Sequence, residues 1–127
     1  MRLMIFGTFD DLHPGHAYVF MEALKRGDVW AVVARDSNVL KIKGRASMQS
    51  EDERTAAIAA TFPTVHVILG DATDFLQPVH DVQPDLILLG YDQKLPPHVT
   101  EEDIGVPIER LPAFHPEMYK SSLHRKK

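Results

Sequence analysis

The chain has 127 residues, a formal charge of −4, 44% hydrophobic and 25% charged residues, and no cysteine. That length suits one domain with one core across residues 1–127, and the net acidity speaks against a general nucleic-acid surface, so an anionic ligand must be met by a local cluster. The lack of cysteine excludes disulfides, a thiolate nucleophile and a Cys-ligated zinc site, while the apolar start, interrupted at Gly7, is too short for a signal peptide or membrane span, so the expectation is a cytoplasmic location with no membrane partner.

Residues 3–6 read as a first strand, and a helical pattern over residues 14–26 follows, carrying Tyr18, Phe20, Met21 and Leu24. A second strand over residues 29–34 leads to Arg35-Asp36-Ser37-Asn38, whose composition is turn chemistry. Residues 41–45 read as a basic loop carrying Lys43. Ser50 followed by Glu53 is a capping-box pattern, so a helix starts there and runs to Thr61. A strand over residues 65–69, a short helix over residues 73–80 and a strand over residues 86–89 come next. A polar excursion over residues 94–103 precedes a last strand over residues 106–110. The strands are apolar without strict alternation, which marks burial on both faces. Strands alternating with helices predict an α/β fold: a single Rossmann-like three-layer domain around a five-stranded parallel sheet.

In such a sheet ligands bind beyond the carboxyl ends of the strands. The most informative run lies there: Gly7-Thr8-Phe9-Asp10-Asp11-Leu12-His13-Pro14-Gly15-His16. A helix start offers unpaired N–H groups and the positive end of the helix dipole, which stabilise an anion. Pro14 suits the first turn, where its missing N–H costs nothing. Three residues apart, His13 and His16 share one face and would point at the same oxyanion. Zinc chelation by the pair lacks a third ligand at fixed spacing. For Asp36 a turn-acceptor role competes with a ligand role, and for Arg54 the local partners Glu51 and Ser50 compete with a ligand. His66, His80, His98, His115 and His124 carry no motif and read as structural or surface residues.

Gly7-Thr8-Phe9-Asp10 with His13-Pro14-Gly15-His16 matches the GTFD and HxGH signature of the cytidylyltransferase-like nucleotidyltransferases, and the chain resembles that family. Val33-Ala34-Arg35-Asp36-Ser37, Lys41-Ile42-Lys43, Pro84-Asp85 and Leu89-Gly90-Tyr91-Asp92-Gln93 look most like the archaeal-type FAD synthetases, which are FMN adenylyltransferases. The resemblance implies transfer of a nucleotidyl group from ATP to FMN with release of pyrophosphate. It implies His13, His16 and Lys43 as catalytic residues. Gly7, Thr8, Phe9, Asp10, Gly90, Tyr91 and Asp92 would bind the nucleotide, with Ser121 and Ser122 as a second helix-start phosphate site. Asp36, Arg54 and Arg110 are the acceptor-binding expectations. Asp10 or Asp36 would help hold a divalent metal such as Mg2+. A homodimer is also implied, with Trp30 a candidate contributor.

The glycerol-phosphate cytidylyltransferase branch carries an Arg-Thr-x-Gly-Ile-Ser-Thr motif, whereas here Arg110 is separated from Ser121-Ser122 by ten residues. That departure weakens, without removing, a CTP-dependent cytidylyltransferase acting on glycerol 3-phosphate or a phosphocholine-type acceptor. A third reading is a non-catalytic nucleotide-binding domain, against which the intact HxGH and Lys43 argue.

Overall fold

The computed structural model describes residues 1–91, 93–96 and 99–112. Five strands are formed: β1 (Arg2–Gly7), β2 (Asp28–Val33), β3 (His66–Leu69), β4 (Leu86–Leu89) and β5 (Ile108–Arg110). All neighbouring pairs are parallel, in the order β3-β2-β1-β4-β5. The chain steps outward from β1 through β2 to β3, then returns to the other side of β1 for β4 and β5. The order therefore reverses between β1 and β4, and a crevice opens beyond their carboxyl ends.

Continuous apolarity is explained by two cores, one on each face. Leu3, Ile5, Val29, Ala31 and Val33 point to one face, where Phe20 and Ala23 of α1 (Pro14–Leu24) and Ile58 of α3 (Glu51–Thr61) cover them. Met4, Phe6, Val32, Ile87 and Leu89 point to the other, covered by Val79 of α4 (Gln77–Val82) and Ile104 of α5 (Glu101–Ile104). Strand residues alternate between faces, so β1 to β4 each contribute to both cores, and β5 adds Ile108 to the second. This gives the three layers foreseen from the sequence.

Three local expectations need correction. Residues 36–43, read as a turn and a basic loop, form a helix, α2 (Asp36–Lys43), closed by left-handed Gly44. The short helix expected at residues 73–80 starts later, at Gln77. The Asp71 carboxylate accepts the Thr73 and Asp74 N–H groups at 3.0 and 2.8 Å and holds that segment as a turn. Within the polar excursion, Thr100 and Asp103 make a capping box that starts the single turn of α5.

Trp30 stacks on His66 at 4.3 Å, with the Arg2 guanidinium 5.8 Å from its ring, so this chain itself partners it. No helix among the described residues is long and apolar enough to cross a membrane.

Candidate active site

His13 is the N-cap of α1, and Pro14 occupies the first turn as expected. The two histidines make a capping box. His13 Nδ1 lies 3.1 Å from the Gly15 N–H donor and 3.4 Å from that of His16, while His16 Nδ1 accepts from the His13 N–H at 3.4 Å. The rings stack at 3.7 Å. This refines the sequence reading: the amides at the helix start are partly satisfied by His13 itself. Because each Nδ1 accepts, each neutral ring carries its proton on Nε2 and offers that N–H to a ligand. Gly15 serves space here, since a Cβ there would stand 2.9 Å from the His13 ring.

His16 is pushed down to about 4 from its ordinary value, first by burial and then by the neighbouring His13 and Lys43 charges. It is therefore a neutral hydrogen-bond donor throughout the physiological range. Lys43 ends α2 on the side whose charge acts on His16 and Asp10.

Phe9, expected among the nucleotide-binding residues, belongs to the core. It is 5% exposed and sits in the core, tilted against Phe20 at 5.1 Å and edge-on to His16 at 5.4 Å. Gly7 makes room for it, because a Cβ there would lie 2.8 Å from the Phe9 ring. Phe9 and Asp11 both have positive φ, 54° and 52°, a conformation costing about 1–2 kcal/mol for a side chain. Surrounding contacts hold this loop. The Asp10 carboxylate accepts the Met48 and Gln49 N–H groups at 2.7 and 2.9 Å, and the Asp11 N–H donates to Gln49 Oε1 at 3.0 Å. The two amides hold the Asp10 carboxyl below its ordinary range.

Arg54 corrects the sequence reading most strongly. It is completely buried, and its side-chain partners are neither Ser50 Oγ nor Glu51. Nη1 donates to the carbonyls of Thr8 and Ala34 at 2.8 Å each, Nη2 to Asp36 Oδ1 at 2.7 Å, and Nε to the Gln49 carbonyl at 3.2 Å. One guanidinium thus joins the loop after β1, the end of β2, the start of α2 and the segment leading into α3. Asp36, about half exposed, is held below its ordinary range chiefly by Arg54. Its N–H donates to Glu51 Oε1 at 2.8 Å, linking the starts of α2 and α3.

Asp10 and Asp36, expected to help hold a divalent ion, are both engaged within the protein: one carboxylate accepts two backbone amides and the other the Arg54 guanidinium. Among the described residues no three His, Asp, Glu or Cys side chains converge.

Beyond β4, Gln93 ties two strands together: the Gly90 N–H donates to its Oε1 at 3.0 Å, and its Nε2 donates to the Phe6 carbonyl at 2.7 Å. Arg110, expected to bind the acceptor, places Nη1 within 2.6–3.2 Å of the carbonyls of Gly90, Tyr91 and Gln93 and braces this loop. Tyr91 is exposed. Asp92, Ser121 and Ser122 lie outside the described residues.

On the α4 side of the sheet a cavity of about 810 Å³ meets Gly7 and Thr8 and extends between α2 and the loops after β3 and β4. Phe75, Lys41 and Asn38 line it, and none of these was singled out as a site residue from the sequence. The signal for α2 was present in Asp36 at its start, Lys41 and Lys43 in its last turn and Gly44 beyond. Nothing local marks Phe75.

The family model described as cytidylyltransferase-like matches residues 4–123. The FAD synthase of Methanoregula boonei is 40% identical over 116 residues, covering 87% of this chain and 77% of that protein. The FAD synthase of Aciduliprofundum boonei is 43% identical over 120 residues, covering 90% and 80%. Among solved structures, the lipopolysaccharide core biosynthesis protein from Thermoplasma volcanium superposes with a TM-score of 0.81 at 35% identity, covering 91% of this chain and 98% of that one.

Two outcomes test the site. Arg54→Ala leaves three carbonyls and a carboxylate without their donor, and should cost about 3–5 kcal/mol in urea unfolding; a loss below about 1 kcal/mol, the value of a surface pair, would remove Arg54 as the organising residue. For His16, folding depresses the imidazole, so the unfolded chain binds the proton more readily between about pH 6.5 and 4. Its contribution to stability is therefore full above 6.5 and lost as pH falls towards 4. An NMR titration of the His16 ring should show its midpoint near 4, and a midpoint near 6.5 would contradict the buried, capped geometry.

Proposed function

This chain belongs to the cytidylyltransferase-like family, and we propose that it transfers the adenylyl group of ATP to the phosphate of FMN, making FAD and pyrophosphate. The stacked histidine pair at the start of α1 carries the chemical part of this reading, and similarity to the FAD synthases carries the choice of substrates. An oxygen of the FMN phosphate attacks the α-phosphorus, the bond from that phosphorus to the β-phosphate bridging oxygen breaks, and pyrophosphate leaves with the electron pair.

The chain contributes position and hydrogen-bond donors in this reaction. His13 and His16 present Nε2–H groups to phosphate oxygens where charge grows in the transition state. Both are pre-set, because their Nδ1 atoms are bound to backbone amides and no ring rotation is needed on binding. Lys43 adds a cation on the same side. Magnesium bound with the triphosphate would take its ligands from phosphate oxygens and water.

Substrate pairing is the decisive test. Pyrophosphate release should appear with ATP plus FMN and be absent with CTP plus glycerol 3-phosphate; the reverse result would move the chain to the cytidylyltransferase alternative, and release with neither pair would favour a binding domain. His16→Ala should lower kcat by about 100-fold or more with the far-ultraviolet circular dichroism unchanged. An unaltered kcat would take His16 out of the reaction.

A further inference from the structure

The cavity on the α4 side has no part in holding the histidines, and its walls suit a large flat ring. Its volume of about 810 Å³ falls within the roughly 300–1,000 Å³ range of small-molecule sites. Phe6 and Phe75 stack there at 4.5 Å, and Val32, Leu89, Leu95 and Val99 continue the apolar wall. The charged groups lining it are three carboxylates, Asp71, Asp74 and Asp103, against two ammonium groups, Lys41 and Lys94. The lining therefore offers no net cationic cluster to hold a triphosphate, while a large flat ring whose single phosphate lies outside the cavity is accommodated.

We propose that this cavity holds the isoalloxazine ring of FMN against Phe75, with the flavin phosphate emerging over Gly7 and Thr8 towards His13 and His16. The proposal rests on the FMN reading above and assigns the site for that substrate. Helix α2 stands between the two halves. Asn38, Lys41 and Ile42, spaced so as to share one face, line the cavity, while Lys43 acts on His16. Asn38 has a defined orientation, since its Nδ2 donates to the Asp71 carbonyl at 3.1 Å. Its Oδ1 is thereby left as an acceptor, the partner required by the one N–H at the polar edge of a flavin ring. Gly7 and Thr8 border the cavity and open the loop that ends at His13. A phosphate leaving the cavity at that border is delivered to the histidine side without crossing the protein.

The test uses the full chain, with FMN and ATP measured separately. Ala72 lines the cavity and is exposed, so Ala72→Trp fills the space without removing core packing. Phe75→Ala removes the stacking wall, and Phe75→Tyr restores an aromatic face. Ala72→Trp and Phe75→Ala should each weaken calorimetric FMN binding and raise the FMN KM by about 10-fold or more, with the ATP KM within about twofold and Phe75→Tyr close to the parent. Unchanged FMN binding in both variants, or a loss confined to ATP, would overturn the assignment, as would a parent chain that binds no FMN. The two readings separate cleanly. A parent that turns over ATP and FMN but whose variants are unaffected sinks the cavity site alone. A parent whose FMN binding is lost in Ala72→Trp, yet which releases no pyrophosphate, keeps the site and sinks the reaction.

Discussion

The buried guanidinium of Arg54 is the contact on which the rest of the site depends. Its Thr8 and Ala34 partners lie 46 and 20 residues away in sequence, and they terminate adjacent strands that would otherwise end in unpaired carbonyls. A buried cation is expensive unless its donors are met in good geometry. Here the planar fork spreads over three carbonyls and one carboxylate, an arrangement a lysine ammonium does not reproduce. Asp36 supplies the counter-charge from a half-exposed position, so only one member of the pair carries the full desolvation cost. The contact sets where α2 begins, and therefore where Lys41 and Lys43 lie relative to the histidines.

The loop after β1 shows how such a clamp permits strain. Phe9 and Asp11 adopt left-handed backbone that side chains disfavour, and the chain places glycine at neither position. Glycine stands instead at residues 7 and 15, where the requirement is room for a neighbouring ring. Phe9 turned inward fills the core beneath His16, and Asp10 turned outward binds residues 48 and 49. The unfavourable dihedrals are retained because the clamp and these contacts over-determine the loop. A motif that reads from the sequence as a row of ligand-binding residues is, in part, the support for two of them.

This division explains what the sequence discloses. Strands β1 to β4 follow from apolar runs, and the starts of α1 and α3 follow from Pro14 and from Ser50 with Glu53. All are signals contained within a few residues. Helix α2 was obscured because Asp36-Ser37-Asn38 is equally good turn chemistry; its start is satisfied by Glu51 from another element and by no cap of its own. The roles of Arg54 and Arg110 depend on carbonyls, which every residue possesses, so no residue type in the sequence could announce them. Phe75 became informative only once β1 and the loop after β3 were brought together, placing it on Phe6.

The sheet itself separates the histidine pair from the cavity proposed for the flavin. Residues of β1 alternate between the faces, so the core beneath the histidines contains Leu3 and Ile5, whereas the cavity rests on Phe6 beside Met4. At the strand's end the alternation stops, and Gly7 and Thr8 belong to both sides: they border the cavity, and they begin the loop that carries His13. Bulk at residue 7 would intrude on Phe9, and movement at residue 8 is resisted by the Arg54 bond to its carbonyl. In-line transfer needs two phosphates brought together from different directions with their carriers kept apart. A thin ridge between a histidine pair on one face and a cavity on the other, clamped from beneath by the buried Arg54 guanidinium, has the shape that requirement asks for.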